Sequence, residues 1–257
     1  MEIQPLYVVA LLLAMAIGFS LALLGSGGSI ITLPVLVYAA RVPPAEAVGM
    51  SLAVVGGTTL AASLLNARAG LVHVKAALLF SAAGMLGAFG GAQLTHLVSP
   101  PVLLLLFAAL MIAVATTMFR GRSEPHGARK AECHWPSCAM TGLSVGVITG
   151  FLGVGGGFVI VPALLHFARL PLKQAMATSL VVITVVSAAG LIGQLQRISF
   201  DWRTPGLFLL FAFIGMFAGR GLAARAHPED LRRWFAWFVV AVAVFVIAQN
   251  WRTLGRS

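Results

Sequence analysis

Charged residues are scarce in this sequence, and acidic residues are the scarcest of them. The 257 residues include 17 Lys and Arg but only 7 Asp and Glu, so charged residues make up 9% of the chain. A soluble globular domain carries about a quarter charged residues. This chain has too few to cover a surface that faces water, which excludes an ordinary soluble domain.

Cysteine is nearly absent as well. The two cysteines, Cys133 and Cys138, lie on either side of His134 in the central polar segment. A structural zinc site is built from four ligands at set spacings, and this segment offers three at most. We therefore expect no metal and no cofactor, and we interpret the cysteines as two free thiols in a reducing compartment.

Several functional motifs are also missing from the chain. No H-E-x-x-H metal motif, no pair of aspartates within an apolar run and no serine with a plausible histidine base occurs, which argues against an intramembrane enzyme. No phosphate-binding loop of ATP-driven pumps is present. The basic residues do not interleave with exposed aromatic residues, so we expect no nucleic-acid partner.

Long apolar runs dominate what is present. Hydrophobic residues make up 60% of the chain, and its mean hydropathy is +0.98. The runs are continuously apolar and close to the roughly 20 residues with which a helix crosses a bilayer. The sequence therefore predicts an all-α polytopic protein of the cell inner membrane, with the lipid bilayer as its surroundings. The run Leu6–Leu24 ends in a glycine cluster and begins the first broken pair. The full-length runs are Ala47–Ala67, Lys75–Leu97, Pro101–Phe119, Lys173–Leu195, Pro205–Ala224 and Leu231–Trp251.

The chain is an internal duplication with an offset of 128 residues. Thirteen identities fall in the window 24–54 at this offset, and they include glycines, prolines, an arginine and a serine. We expect a first membrane repeat at 1–119, a cytoplasmic loop at 120–137 and a second membrane repeat at 138–257. Each repeat is predicted to hold a broken-helix hairpin with a glycine tip and three transmembrane helices.

The distribution of basic residues predicts that the two repeats have inverted topology. Lys and Arg favour cytoplasmic loops. Inverted repeats place 12 of the 17 basic residues inside and 5 outside, whereas parallel repeats give 10 and 7. The inverted arrangement agrees better with the rule, and it places the central loop in the cytoplasm.

Two glycine clusters occupy equivalent places in the repeats, each before a short apolar segment. Paired short segments interrupted by glycine are the best sequence indication of a transporter site. The free N–H groups at the starts of two such helices would attract an anion. We expect substrate binding by the backbone of Gly25, Gly27, Gly28, Ser29, Gly153, Gly155, Gly156 and Gly157. For the other glycines of the first repeat, Gly84, Gly87, Gly90 and Gly91, we expect helix packing instead.

Three hydroxyl side chains follow the proline turns after the short segments. Ser51, Thr178 and Ser179 are further candidate donors to the anion, with bonding back to their own helix as the equally weighted alternative. A coupling proton carried by His166 also stays open, with an interfacial role for this side chain as the alternative.

The glycine motifs resemble those of the TauE/SafE sulfite exporter or sulfonate permease family. They read G-S-G-G-S-I-I-T-L-P at Gly25–Pro34 and G-V-G-G-G-F-V-I-V-P at Gly153–Pro162. Ser29 departs from the pattern, since it replaces the third glycine of the run. The resemblance covers nearly the whole chain and implies secondary transport of small anions, such as sulfite, sulfoacetate or sulfonates.

Alternative functions stay open beside secondary anion transport. They are a passive anion channel, a membrane subunit that transports nothing itself and, last, an intramembrane enzyme. The sequence leaves open the substrate, the direction of transport, the coupling ion and whether the protein forms an oligomer.

Overall fold

The structure is a computed structural model that describes residues 5–24, 28–120, 135–152, 157–196, 201–223, 236–237 and 239–249. Helices are the regular elements in these residues, and no strand occurs among them. Four helices are long and apolar enough to cross a membrane, and five shorter apolar helices accompany them. The prediction of an all-α polytopic membrane protein is therefore confirmed.

Helices follow one another along the described residues. In order they are α1 (Pro5–Leu24), α2 (Gly28–Pro34), α3 (Pro44–Arg68), α4 (Val74–Leu94), α5 (Pro100–Arg120), α6 (Trp135–Leu152), α7 (Gly157–Phe167), α8 (Leu172–Leu195), α9 (Arg203–Ala223) and a last apolar helix, α10 (Val239–Gln249). A π-helical turn at Val35–Ala39 extends α2, and a 3₁₀ turn at Thr95–Leu97 extends α4.

Proline determines where several helices begin. Helix α3 starts at Pro44, directly after Pro43, and α5 starts at Pro100. Proline suits the first helical position because its missing N–H would have no partner there and its φ is already helical. The apolar run Ala47–Ala67 therefore begins three residues later than α3, because the first turn of the helix is not part of the apolar run.

Helices overlap both ends of the predicted loop 120–137. Helix α6 begins at Trp135, inside the segment 120–137 that we assign to a loop, and α5 continues to Arg120. Residues 121–134 lie outside the described residues. The boundaries of the two repeats and of the loop between them stay a prediction.

Glycine-lined helix pairs join the two halves. Helix α1 lies against α9, and the equivalent α6 lies against α4. A side chain at Gly18 would meet the carbonyl oxygen of Ala212, and a side chain at Gly146 would meet the carbonyl oxygen of Gly84. The 128-residue offset maps the first contact onto the second. The contacts between the two halves are therefore reciprocal at these positions.

The packing role expected for the glycines of α4 holds at three of four positions. Added side chains at Gly87 and Gly91 would meet backbone atoms of α6, and one at Gly84 would meet Val186 of α8. Small residues allow such close approach of membrane helices. At Gly90 the expectation is wrong, because this exposed residue has no atom within 4 Å of the position of a Cβ.

The end of each short helix repeats a backbone conformation. Arg41 and Arg169 lie 128 residues apart, and both have positive φ, of 54° and 50°. Few residues with a side chain adopt such values. The residue after each arginine donates its N–H to a leucine carbonyl six positions earlier, at 2.9 Å in the first half and 3.4 Å in the second. The duplication therefore includes strained backbone as well as sequence.

Helices α3 and α8, which are equivalent in the two halves, pack against each other in antiparallel fashion. Leu52 near the start of α3 lies beside Gly190 near the end of α8. Further along α3, the Thr59 hydroxyl accepts a hydrogen bond of 3.0 Å from Thr184, which is earlier in α8. Equivalent helices run antiparallel when two halves have opposite orientations. The inverted topology in a membrane stays a prediction, and this contact supports it.

Cys138 corrects the expectation of two free thiols. This residue is buried in α6 and disulfide-bonded. The chain's other cysteine, Cys133, lies five positions earlier, outside the described residues. The expectation of a free thiol is therefore wrong at Cys138, because an assumed compartment does not decide whether a thiol is oxidised.

Candidate substrate site

The two short helices begin at the ends of the glycine clusters. Helix α2 starts at Gly28 and α7 starts at Gly157, and both glycines are buried. Five other residues of the predicted site, Gly25, Gly27, Gly153, Gly155 and Gly156, lie outside the described residues. The described part of the site therefore consists of the first turns of α2 and α7 and the helices around them.

Gly28 allows α2 to turn back against α1. A Cβ at this position would lie 2.7 Å from the Cβ of Leu21 and would also meet the carbonyl oxygen of Ile17. A continuous helix would place residues 17 and 28 about 16 Å apart. The chain therefore reverses between α1 and α2, and glycine is needed at 28 because the two backbones nearly touch.

The first turn of α2 is enclosed by the protein. Ser29 is fully buried, and the hydroxyl of Thr32 donates to the carbonyl oxygen of Gly28 at 2.9 Å. Ile30 and Leu33 anchor the helix in a hydrophobic core that α1, α3 and α5 share. Helix α2 also contacts α7 of the other half. The two short helices are thus in contact with each other.

The buried polar side chains of the described residues are all uncharged. They are serines, threonines and one glutamine, and no Asp, Glu, Lys, Arg or His is among them. Such side chains offer hydrogen bonds but no fixed charge. Any net electrostatic preference in the described interior must therefore come from oriented backbone and hydroxyl groups.

Ser51 and Ser179 are equivalent residues with different hydrogen bonding. Ser179 Oγ donates to the carbonyl oxygen of Met176 at 2.8 Å, so it bonds back to its own helix. Ser51 Oγ is fully buried and has no hydrogen-bond partner in the described part of the chain. Ser179 thus bonds back to its own helix, and the role of both serines as donors to the anion stays a prediction.

Thr178 connects α8 to the start of α4. Its hydroxyl oxygen accepts a hydrogen bond of 3.0 Å from the backbone N–H of His73. The side chain of His73 in turn accepts from the N–H of Ala76 at 3.2 Å and so caps α4. This arrangement gives Thr178 a structural function, and its role as a donor to the anion stays a prediction.

His166, the candidate carrier of a coupling proton, lies near the end of α7. Its side chain is exposed, and its ring packs edge-on against that of Phe167, with 5.6 Å between the centroids. The equivalent Tyr38 packs edge-on against Phe245 of α10 at 5.6 Å. The structure gives both residues aromatic neighbours, and proton coupling stays a prediction.

Sequence reasoning missed the hydroxyl groups at the contact between α3 and α8. Thr59, Thr184 and Ser187 come together there, and the bond between the two threonines connects the halves. A signal for them exists in the sequence, because Thr59 and Ser187 are separated by the 128-residue offset. The pairing itself could not be anticipated, since it depends on how α3 crosses α8.

A family model for the sulfite exporter TauE/SafE matches residues 10–246 of the chain. The chain belongs to the TauE/SafE sulfite exporter family. The resemblance seen in the glycine motifs is thereby confirmed over nearly the whole chain.

Similar proteins in other organisms extend this family assignment. A "Probable membrane transporter protein" of Xylella fastidiosa (strain 9a5c) is 35% identical over 244 residues, which cover 93% of this chain and 94% of that protein. Its counterpart in strain Temecula1 is 36% identical over 247 residues, with the same coverage of both chains. "Probable membrane transporter protein YdhB" of Bacillus subtilis is 22% identical over 221 residues, or 84% of this chain and 88% of that protein. No solved structure matches the chain.

Membership in the TauE/SafE family and the names of these relatives support a multi-pass membrane transporter. They point to a transporter rather than an enzyme. The apolar helices of the structure agree with this conclusion, because four of them are long enough to cross a membrane.

Proposed function

We propose that this TauE/SafE protein is a secondary transporter of small anions in the cell inner membrane. The substrate binds between the N-terminal ends of α2 and α7, near the middle of the membrane. The observation that carries the proposal is the contact of these two short helices, which come from equivalent places in the two halves and begin at buried glycines.

Helix starts of this kind attract negative charge. The first four N–H groups of a helix have no partner within it, and the helix dipole places about half a positive charge at this end. Glycine leaves those N–H groups accessible, since it has no side chain to cover them. Two such helix starts at mid-membrane resemble the half-helices with which transporters bind anionic substrates.

The uncharged interior supports an anion rather than a cation. Cation sites within membranes generally use carboxylates, and the buried polar side chains in the described parts of the chain are hydroxyls and one amide. An anion that leaves water needs hydrogen-bond donors. Hydroxyls and helix N–H groups supply donors without a fixed charge that would hold the substrate too tightly.

The proposed substrate class is sulfur oxyanions and organosulfonates, such as sulfite and sulfoacetate. It rests on the name of the family, sulfite exporter TauE/SafE. Sulfite and sulfonate groups both present three oxygen atoms on one sulfur. Such a group can accept hydrogen bonds from two helix starts at the same time.

The duplication suggests how the site is opened to each side in turn. Antiparallel α3 and α8 carry equivalent surfaces of the two halves. Rocking of one inverted repeat against the other around a fixed site is the usual route to alternating access. In this proposal an ion gradient, with a proton as the coupling ion, drives the cycle.

A negative charge at the start of α2 should compete with the substrate. We expect Ser29→Asp to lower the uptake of radiolabelled sulfite into proteoliposomes more than tenfold, because its carboxylate would occupy the anion site. Ser29→Asn is the matched control, with nearly the same size and no charge, and it should retain uptake within about threefold. The loss corresponds to about 1.4 kcal/mol or more of substrate binding.

Two results would contradict the proposal. Equal uptake by the Asp and Asn variants, at equal amounts of folded protein, would remove the start of α2 from the site. Flux through the wild-type protein without counterflow of unlabelled sulfite would indicate a channel in place of a carrier.

A further inference from the structure

Ser187 differs from most hydroxyl residues in these helices. Thr58, Thr59 and Thr149 donate to the carbonyl oxygen four positions earlier, at distances of 2.6 to 2.8 Å. Such bonding is the usual way to satisfy a hydroxyl in an apolar helix. Ser187 Oγ is fully buried and has no partner among the described residues. A buried hydroxyl without a partner is costly, so its presence in α8 calls for an explanation.

A notch in α3 lies beside Ser187. A Cβ added at Gly56 would be 3.3 Å from the Cβ of Ser187, and no other atom beyond the neighbouring residues would lie within 4 Å of it. Gly56 is partly exposed, whereas Ser187 is buried. Toward Ser187 the notch is therefore narrow, and away from Ser187 it has no atom within 4 Å of the Cβ position.

The duplication explains why Ser187 lacks a partner. The 128-residue offset maps Gly56 onto Thr184 and Thr59 onto Ser187. At the first of these two equivalent contacts, the Thr184 hydroxyl donates to Thr59 at 3.0 Å. At the second contact the residue equivalent to Thr184 is Gly56, so Ser187 has no hydroxyl with which to form a hydrogen bond. One of the two equivalent contacts therefore has a hydrogen bond between hydroxyls, and the other, which we call the open contact, has none.

A buried cluster connects the open contact to the start of α2. Gly28 at this start packs against Leu21 of α1, and Leu21 forms a buried cluster with Ala62 of α3 and Leu180 of α8. This cluster is about one helical turn from the hydrogen bond between Thr59 and Thr184. One further turn toward the start of α3 lies Gly56, at the notch.

The second short helix approaches from the other end of the same contact. Leu52 of α3 lies one turn beyond the notch, beside Gly190 of α8. Gly150 of α6 is 3.7 Å from the Cβ position of Gly190, and α6 contacts α7. The hydroxyls of Thr59, Thr184 and Ser187 thus lie along α3 and α8 between two contacts. One contact leads to α1, which packs against α2, and the other leads to α6, which packs against α7.

We propose that Ser187 Oγ donates a hydrogen bond to an oxygen atom of the transported anion, which enters the notch at Gly56. The inference rests on the proposed function, and it adds a specific side chain to the backbone N–H groups at the starts of α2 and α7. An O–H group that bonds an anionic oxygen forms a stronger hydrogen bond than one between neutral groups. The hydroxyl of Thr184 already has acceptors in Leu180 and Thr59, which leaves Ser187 as the available donor.

Two substitutions test this role in full-length protein in proteoliposomes, with sulfite as the probe. Ser187→Ala removes the donor, and we expect the KM for uptake to rise about tenfold, the effect of losing one hydrogen bond to a charged group. Gly56→Ser fills the notch and offers Ser187 a partner, and it should raise KM at least as much. The Tm of both variants should equal or exceed that of the wild type. Thr58→Val is the matched control, because its hydroxyl is bonded within α3, and its KM should stay unchanged.

The results separate this inference from the proposed function. Wild-type KM in both Ser187→Ala and Gly56→Ser, with raised Tm, would show that the hydroxyl is only a packing defect and would overturn the inference. Sulfite uptake by the wild type would still support the proposed function in that case. Absence of sulfite uptake by the wild type would overturn both. If Gly56→Ser does not fold, Ser187→Ala alone decides between these results.

Discussion

The α4–α6 and α1–α9 pairs are equivalent contacts that reach the same geometry with different residues. The α4–α6 pair uses six glycines, namely Gly84, Gly87, Gly91, Gly142, Gly146 and Gly150. The α1–α9 pair keeps three of them, as Gly18, Gly215 and Gly219, and replaces the others by Ala14, Ala22 and Ala212. At all three retained positions a side chain would meet backbone atoms in both pairs.

A third helix accounts for one of the three replacements. A Cβ at Gly84 would lie 2.8 Å from a methyl group of Val186 on α8. The equivalent of Val186 is Thr58 on α3, whose hydroxyl bonds back to Val54. Helix α4 is therefore confined by both α6 and α8, whereas α9 has room for an alanine between α1 and α3. A pseudo-symmetric backbone thus tolerates different side chains in its two halves.

The largest expected effect is the loss of a contact that both pairs share. Gly146→Leu and Gly18→Leu each push a side chain into a backbone carbonyl, which cannot rotate away. We expect each to destabilise the protein by about 3 kcal/mol or more, visible as loss of the monodisperse peak in size-exclusion chromatography. Gly90→Leu is the control, because Gly90 has no neighbour within 4 Å, and it should remain monodisperse. A well-folded Gly146→Leu protein would show that α4 and α6 are not in backbone contact.

A smaller effect tests the difference between the pairs. Gly84→Ala should lower the stability by about 1–2 kcal/mol, because its methyl group overlaps Val186, and Val186→Ala in the same chain should restore the Tm. The reverse change on the other side, Ala212→Gly, should cost about 1 kcal/mol through backbone entropy alone. If Gly84→Ala raises the Tm without a second change, α8 does not confine α4.

The smallest effect concerns the equivalent serines. Ser51→Ala removes a buried hydroxyl without a partner, so the Tm should rise slightly while uptake falls about two- to threefold if the anion uses this donor. Ser179→Ala removes a hydroxyl that is already bonded to Met176, and its uptake should match that of the wild type. Initial rates in proteoliposomes measure both. Equal uptake by the two variants would assign Ser51 to packing.

Much of the fold could be predicted because membrane helices leave strong local signals. Continuous apolar runs located α3, α4 and α8 to within a few residues, and the repeated glycines and prolines showed the duplication. The errors fall where local signals are weak. Pro44 and Glu46 belong to a helix although they interrupt the apolar pattern, and the packing expected at Gly90 fails because glycine content does not show which face of a helix is covered.

The candidate site was predictable only in part. The start of α2 at Gly28 follows from its glycine cluster, and the reversal against α1 agrees with it. The difference between Ser51 and Ser179 was not foreseeable, because the two occupy the same place in the repeat. Which of two equivalent hydroxyls bonds to its own helix depends on the neighbours that each one meets.

The sequence by itself determined that this chain forms helices in a membrane, that it is built twice from one unit, and that glycine breaks each unit at the same place. Hydrophobic length and glycine conformation are local properties, so they can be recognised without a structure. The tertiary structure decided which residues of the two halves lie opposite each other. Thr59 forms a hydrogen bond with Thr184, whereas Ser187 lies beside Gly56. That outcome depends on the antiparallel crossing of α3 and α8, which is set by packing between the halves rather than by either segment alone.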